Sequence, residues 1–218
     1  MPRLFAIGDI HGCPEALSSL FEAAAIERAD TVITLGDYVA KGPDSQGVLN
    51  LMIDLATRCE HVPLLGNHDR MMLAALDGEI DIGTWSAVGG KRVLESYGPT
   101  GMLAQIPQDH HEFLRGCRLY YETDRYLFAH ACYEPGLPLR DSDESVLLWK
   151  KIRNELPAPH YSGKVTVVGH TSQKCGNVLD AGHLICIDTN CCSGGWLTAM
   201  ELPSRRIIQA DQQGRLRQ

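Results

Sequence analysis

Five short segments of the chain place a potential metal ligand directly after an apolar run and a small residue. They are Ile7-Gly8-Asp9, Leu35-Gly36-Asp37, Leu65-Gly66-Asn67, Phe128-Ala129-His130 and Val168-Gly169-His170, and His11 follows two residues after the first. Carboxylate and amide oxygens and imidazole nitrogens are metal donors in proteins. We therefore predict that Asp9, His11, Asp37, Asn67, His130 and His170 bind metal.

The donor types narrow the choice of metal. Three histidines, two aspartates and an asparagine suit a borderline divalent ion such as zinc, manganese or iron, and would be unusual for calcium or magnesium alone. Six ligands exceed what one tetrahedral ion needs, so the simplest interpretation is two ions sharing a carboxylate. The glycine before most ligands has no side chain and allows a close approach of the backbone.

The apolar runs that precede these ligands are predicted strands. In the N-terminal half they alternate with segments of helical spacing, whereas the C-terminal third contains mostly short β-type runs. This pattern predicts an α/β fold with two facing mixed β-sheets flanked by helices. Since ligands collect at the carboxyl ends of strands in open α/β folds, the six predicted ligands should converge.

Several local features complete the prediction. We expect a single domain over residues 1–218, with a mostly helical, cap-like insertion at about 77–116. Ser45 could cap the helix that follows it, and helices are predicted over 71–76 and 144–156. The three tryptophans Trp85, Trp149 and Trp196 are predicted to lie in the core.

Composition limits the class of protein. The chain has 218 residues and a formal net charge of -7, which argues against binding to a nucleic-acid duplex. No secretory signal or run of transmembrane length is recognisable, so no membrane partner is expected. The eight cysteines form no C-x-x-C pair, which together with the missing signal predicts reduced thiols in the cytoplasm.

The same segments resemble a known family. Gly8-Asp9-Ile10-His11-Gly12, Gly36-Asp37-Tyr38-Val39 with Gly42 and Ser45, and Gly66-Asn67-His68-Asp69 resemble the three motifs of the calcineurin-like metallophosphoesterases, specifically the phosphoprotein phosphatase superfamily. His130 and His170 resemble its two later metal-binding histidines. The chain is most similar in pattern to the small bacterial serine/threonine protein phosphatases.

The resemblance implies roles for individual residues. Asp9, His11 and Asp37 would hold one metal, and Asp37, Asn67, His130 and His170 the other, with manganese the expected ion for activity in vitro. A hydroxide bridging the two metals would attack the phosphorus directly, and His68 would protonate the leaving alkoxide. Lys41, Asn67 and Arg153 would contact the substrate phosphate, although Lys151 is an alternative to Arg153.

Two positions depart from the family pattern. The family usually has an aspartate and an arginine where this chain has Ala40 and Lys41. That aspartate would orient the histidine acid and raise its pKa, so Ala40 leaves His68 without the expected partner. The Lys-Gly-Pro sequence at 41–43 is similar to that of the tetraphosphatase-like branch, whose members act on phosphoanhydrides.

Three hypotheses for function follow. The first is hydrolysis of phosphomonoesters, namely phosphoserine or phosphothreonine in proteins. The alternative, motivated by Ala40 and Lys41, is hydrolysis of dinucleoside polyphosphates or polyphosphate, whose better leaving groups need a general acid less. A non-catalytic metal or phosphate sensor is the third. The oligomeric state and the native metals stay open.

Overall fold

A computed structural model describes residues 2–153 and 155–218, and in this part of the chain ten strands form two sheets. The strands are β1 (Leu4–Ile7), β2 (Thr31–Thr34), β3 (Glu60–Pro63), β4 (Tyr120–Glu122), β5 (Tyr126–Ala129), β6 (Val165–Val168), β7 (Leu179–Asp180), β8 (Leu184–Cys186), β9 (Leu197–Leu202) and β10 (Arg206–Ala210). The first sheet has the order β10-β9-β1-β2-β3 and the second β4-β5-β6-β8-β7.

Each sheet has three parallel strands, which antiparallel strands extend on one side in the first sheet and on both sides in the second. Strands β1, β2 and β3 run parallel, as do β5, β6 and β8. Strands β9 and β10 extend the first sheet in antiparallel fashion, and β4 and β7 flank the second in the same way. The predicted α/β class with two mixed sheets is confirmed.

The two sheets pack face to face over a buried apolar layer. Ala6 and Ile33 from the first sheet lie in the same cluster as Phe128, Val167 and Ile185 from the second. Because alternate side chains of a strand point to opposite faces, the neighbouring residues are free to pack against the outer helices. The carboxyl ends of the parallel strands consequently lie at one edge of the sandwich.

Seven α-helices flank the sheets in the described ranges. They are α1 (Pro14–Ala24), α2 (Ser45–Arg58), α3 (Asn67–Leu76), α4 (Ile82–Trp85), α5 (Lys91–Ser96), α6 (Gln108–Gly116) and α7 (Glu144–Trp149). Helices α4, α5 and α6 lie in the segment 77–116 for which a mostly helical insertion was expected. None of the helices in the described ranges is long and apolar enough to cross a membrane.

Two predicted helix boundaries are wrong. The helix predicted over 71–76 begins at Asn67, so this predicted ligand and His68 lie in its first turn. The helix predicted to reach residue 156 ends at Trp149. Tertiary hydrogen bonds replace its continuation, because the backbone carbonyl of Trp149 accepts from His170 and the amide of Ile152 donates to Thr171.

The cap of α2 also differs from the prediction. Asp44 is the N-cap residue, and its carboxylate accepts a hydrogen bond from the Gly47 amide at 2.7 Å. Ser45 is the first helical residue instead, and its hydroxyl accepts from the Ala40 amide at 3.1 Å. Ser45 therefore shapes the loop that contains Ala40 and Lys41.

The tryptophan predictions hold only for Trp85, which is 1% exposed. Trp196 is half-buried, and Trp149 is 43% exposed. The prediction that Trp149 lies in the core is wrong because α7 ends there. All eight cysteines are free thiols.

His61 is expected to make stability depend on pH. Its Nε2 lies 2.9 Å from the Thr34 hydroxyl, and burial lowers the pKa of His61 from 6.5 to about 4. As the pH falls, the unfolded chain takes up this proton first, so the contribution is complete above about pH 6.5 and is lost towards about pH 4. When the pH is lowered from 7 to 5, the free energy of unfolding of wild type should fall by about 1–2 kcal/mol more than that of His61→Asn, as measured by urea titration. Equal pH dependence in the two proteins would contradict this assignment.

Candidate metal centre

The structure brings the six predicted ligands together at the carboxyl edge of the sheets. Asp9 and His11 follow β1, Asp37 follows β2, His130 follows β5 and His170 follows β6, while Asn67 begins α3. His11 Nε2 lies 3.3 Å from one oxygen of Asp37, and His130 Nε2 lies 3.6 Å from the other. Asp37 is thus the carboxylate between the two halves of the cluster.

Backbone carbonyls determine which ring nitrogen of His11 and of His130 can bind a metal. Nδ1 of His11 lies 3.0 Å from the carbonyl of Val39, and Nδ1 of His130 lies 2.7 Å from that of Leu35. A carbonyl can only accept, so both Nδ1 atoms carry the proton. Each Nε2 therefore presents a lone pair to the cluster, as in metal sites whose outer hydrogen bonds orient the ligands.

His170 has the opposite arrangement with the same result. Its Nε2 donates to the Trp149 carbonyl at 3.1 Å, which leaves Nδ1 unprotonated. That Nδ1 faces the amide oxygen of Asn67 at 3.0 Å, and His130 Nε2 faces the same oxygen at 3.1 Å. Acceptors that face one another at such distances repel, and a cation bound by both would remove this repulsion.

Two groups of donors come close enough to hold an ion each. In the first, His11, Asp37 and His68 bring one donor atom each within 4.8 Å of the others, and in the second Asp37, His130 and His170 do so. Asp9 lies beside the first group, with one oxygen 3.9 Å from His11 Nε2. His68 was predicted as an acid, and the structure adds it to the possible donors.

The charges of the cluster also favour divalent ions. Asp9 and Asp37 are 4% and 1% exposed. Burial raises the pKa of Asp37 to about 7, and burial together with the Asp188 charge raises the pKa of Asp9 well above its usual range. Buried carboxyl groups in this state bind either a proton or a cation, and a divalent ion would lower these pKa values again. The residues therefore fit a metal site with mixed nitrogen and oxygen donors.

Strained backbone is concentrated in this region. Of the eight non-glycine residues with positive φ in the described chain, five belong to the candidate site: His11, Asp37, Ala40, Lys41 and His170. Such conformations persist only where surrounding contacts enforce them, and they cluster at functional sites. Contacts within the protein therefore enforce the geometry of these loops.

Lys41 reaches into the first half of the cluster. Its Nζ lies 2.8 Å from Nε2 of His11, to which it donates. Burial and then the Lys41 charge lower the pKa of His68 to about 3. Among residues 2–153 and 155–218, no carboxylate accepts a hydrogen bond from the His68 ring. His68 is therefore neutral at physiological pH in this arrangement.

Ala40 is buried and lies against the segment that was expected to form an insertion. Ala40 is 1% exposed, and a Cβ built on Gly89 would lie 3.0 Å from its methyl group. Gly89 belongs to a kinked turn, Ser86–Gly90, within the expected insertion. This segment therefore covers the loop in which the family usually has an aspartate.

The second phosphate contact was left open between Lys151 and Arg153. The charge of Lys151 is among those that lower the pKa of His170. Arg153 is exposed and lines two clefts together with Ile152, Glu155 and Leu156. The choice between Lys151 and Arg153 as the phosphate contact therefore stays a prediction.

Sequence reasoning missed the role of Asp69. This residue is fully buried, and its carboxylate accepts from the amides of Asp37 at 2.7 Å, Tyr38 at 3.0 Å, Val39 at 3.3 Å and Gly66 at 2.9 Å. It fixes the Asp37 loop and the start of α3 together. Its adjacency to His68 gave no signal of this role, because adjacent helical residues point in different directions.

Replacement of Asp69 by asparagine should therefore be costly. The side-chain amide of asparagine has only one acceptor oxygen, so some of the four N–H groups would be left unpaired. Each unpaired N–H group costs about 1–3 kcal/mol. We expect Asp69→Asn to lose about 2–5 kcal/mol of unfolding free energy, measured by urea titration. Asp81→Asn, which alters an exposed helix cap, should lose less than about 1 kcal/mol. A wild-type midpoint for Asp69→Asn would refute this role.

Asp188 is a second missed residue. It is 2% exposed, follows β8, and accepts from the Ser172 hydroxyl at 2.7 Å and the Asn190 amide at 3.0 Å. Its charge helps raise the pKa of Asp9. Asp188 follows a strand, as the predicted ligands do. It was missed because the sequence rule also required a small residue directly before the ligand, and Ile187 stands there.

The chain matches a known family over most of its length. Residues 2–195 match the calcineurin-like phosphoesterases, and the chain belongs to this family, which confirms the resemblance of the motifs. A solved structure described as a candidate diadenosine tetraphosphatase is 26% identical, with a TM-score of 0.71 over 96% of this chain and 95% of the other. The cold-active protein-tyrosine phosphatase of a Shewanella species shares the fold, with a TM-score of 0.67 over all of this chain and 80% of the other at 19% identity.

Two curated relatives share one description. The symmetrical bis(5'-nucleosyl)-tetraphosphatase of Aeromonas hydrophila is 44% identical over 73 residues, which is 33% of this chain and only 26% of that protein. The protein of the same description from Baumannia cicadellinicola is 27% identical over 96% of this chain and 92% of its own length.

Proposed function

We propose that this protein is a metal-dependent hydrolase of phosphoanhydrides, and specifically of dinucleoside polyphosphates. The observation that carries the proposal is the environment of His68. Its ring is neutral and lacks a carboxylate partner in the described chain, with Ala40 at the family's aspartate position. A phosphate leaving group needs little protonation, whereas an alkoxide needs a general acid. The descriptions of the relatives support the same substrate class.

The roles of the residues in this proposal follow from their contacts. Asp9, His11 and Asp37 hold one divalent ion, and Asp37, Asn67, His130 and His170 hold the second. Two bound ions at such a site supply activation of water and neutralisation of phosphoryl charge. Lys41, whose ammonium already reaches His11, turns to a phosphate oxygen as a point charge. Asn67 and Arg153 are the other proposed phosphate contacts.

We also propose that residues 1–218 form one domain in which 77–116 is a cap. The closeness of Gly89 to Ala40 supports this role, because a residue of the insertion then packs against the loop that contains Lys41.

Phosphoserine or phosphothreonine in proteins is the second candidate substrate. The observation that favours it is the retention of His68 within 4.8 Å of donor atoms of His11 and Asp37, where a proton donor for an alkoxide would be needed. The missing partner of His68 argues for the first candidate.

A substrate panel tests the proposal. Protein loaded with manganese is assayed on diadenosine tetraphosphate, inorganic polyphosphate and a phosphoserine peptide, with products separated by anion exchange. We expect kcat/KM to be highest for diadenosine tetraphosphate, and Asp37→Asn to remove the activity. A higher kcat/KM for the peptide would overturn the proposal in favour of the second candidate. Absence of turnover on every substrate would leave the sensor hypothesis.

A further inference from the structure

An exposed indole lies at the end of α7, beside the candidate metal centre. Trp149 is 43% exposed, although Leu147 and Leu148 before it are 1% and 0% exposed. The helix thus buries both leucines and leaves its largest apolar residue in solvent. An exposed indole offers a broad aromatic face for a ligand.

The backbone that carries this indole is held against the loops of two candidate metal ligands. Three hydrogen bonds join the 147–152 segment to the loops of the two late histidines: Ala131 N to Leu147 O at 2.7 Å, His170 Nε2 to Trp149 O at 3.1 Å, and Ile152 N to Thr171 Oγ1 at 3.2 Å. The backbone of Trp149 therefore contacts a predicted metal ligand directly.

The residues that follow the indole are cationic. Lys150, Lys151 and Arg153 are exposed, and none of them forms a salt bridge with the described part of the chain. Two clefts of about 620 Å³ each adjoin this segment, and both are lined by Arg153. A flat aromatic face beside uncompensated cations matches a ligand that joins an aromatic base to phosphates.

We propose that Trp149 is a substrate-contacting residue that stacks on the base of a nucleoside polyphosphate. The inference rests on the proposed function and specifies how that site would select nucleotides over inorganic polyphosphate. The phosphates next to the base lie along Lys150 and Lys151, while the scissile phosphoryl group faces the metal ligands.

Steady-state kinetics of Trp149→Ala and Trp149→Phe test this role. The contact with His170 uses the backbone carbonyl, so both variants keep it. For diadenosine tetraphosphate, KM of Trp149→Ala should rise between about 5- and 100-fold, since base stacking on an aromatic residue has this strength. Trp149→Phe should retain most of the affinity. KM for inorganic tripolyphosphate, which has no base, should stay within about twofold, as should both values in the control Ile207→Ala.

Fluorescence gives a second readout that does not depend on turnover. ADP should quench the emission of the wild-type protein, and Trp149→Phe should lose this quenching while Trp196→Phe keeps it. An unchanged KM for diadenosine tetraphosphate in Trp149→Ala would overturn the stacking role and leave the proposed function intact. If wild type hydrolyses only phosphopeptides, the proposed function fails, and absence of quenching by ADP would then overturn the stacking role as well.

Discussion

Asp37→Asn should abolish turnover and weaken both metal sites at once. Asp37 presents one oxygen to His11 at 3.3 Å and the other to His130 at 3.6 Å, and it is the residue shared by the two donor groups. The amide removes the negative charge that both ions would share. Its oxygen can still accept from the His68 amide, which now lies 2.9 Å from Asp37 Oδ1. We expect kcat to fall by on the order of 10³-fold.

Metal content should be measured together with activity. Wild type is expected to retain about two manganese equivalents after desalting, and Asp37→Asn fewer, as determined by mass spectrometry and calorimetric titration. Asp54→Asn is a suitable control because Asp54 has a side chain 59% exposed, in a surface ion pair. Two retained equivalents with wild-type kcat in Asp37→Asn would refute the shared-carboxylate arrangement.

Gly169→Ala should disrupt the candidate site by steric overlap alone. A Cβ on Gly169 would lie 2.1 Å from an oxygen of Asp9 and 3.5 Å from the carbonyl of His130. The Asp9 carboxylate would have to move, and with it the hydrogen bonds of 3.0 and 3.2 Å that it accepts from the His170 amide. Overpacking of this kind costs about 1–3 kcal/mol. We expect at least a roughly 100-fold fall in kcat and weaker manganese binding in calorimetric titration.

Gly136→Ala is the matched control. No atom lies within 4 Å of a Cβ built on Gly136, and neither glycine has a positive φ. The control should keep wild-type kcat and gain up to about 1 kcal/mol from the reduced freedom of the unfolded chain. Equal activity of the two alanine variants would show that Asp9 does not need its observed position.

The sequence predicts that the six candidate ligands converge because each one obeys a local rule. Asp9, Asp37, His130 and His170 follow parallel strands, and parallel strands bring their carboxyl ends to one edge. The glycine rule has an equally direct cause, since Gly169 leaves room for the Asp9 carboxylate. The two-sheet fold follows from the same strands. Metal binding itself stays a prediction.

The missed features depend on contacts between distant segments. Asp69 accepts hydrogen bonds from amides about 30 residues earlier, which no spacing pattern reveals. The periodicity after Glu144 favours a longer helix, but hydrogen bonds to His170 and Thr171 hold the backbone after Leu148 in another conformation. Trp149 is exposed because the helix ends there, so local propensity could not predict its exposure.

The four hydrogen bonds to Asp69 have a consequence for folding. The loop after β2 and the start of α3 are joined through one buried acceptor, so separating them would leave the amides of Asp37, Tyr38 and Val39 unpaired. We therefore expect the segments that carry Asp37 and Asn67 to open locally as one cooperative unit. A single buried carboxylate outside the six predicted ligands thus couples the two segments on which the predicted metal site depends.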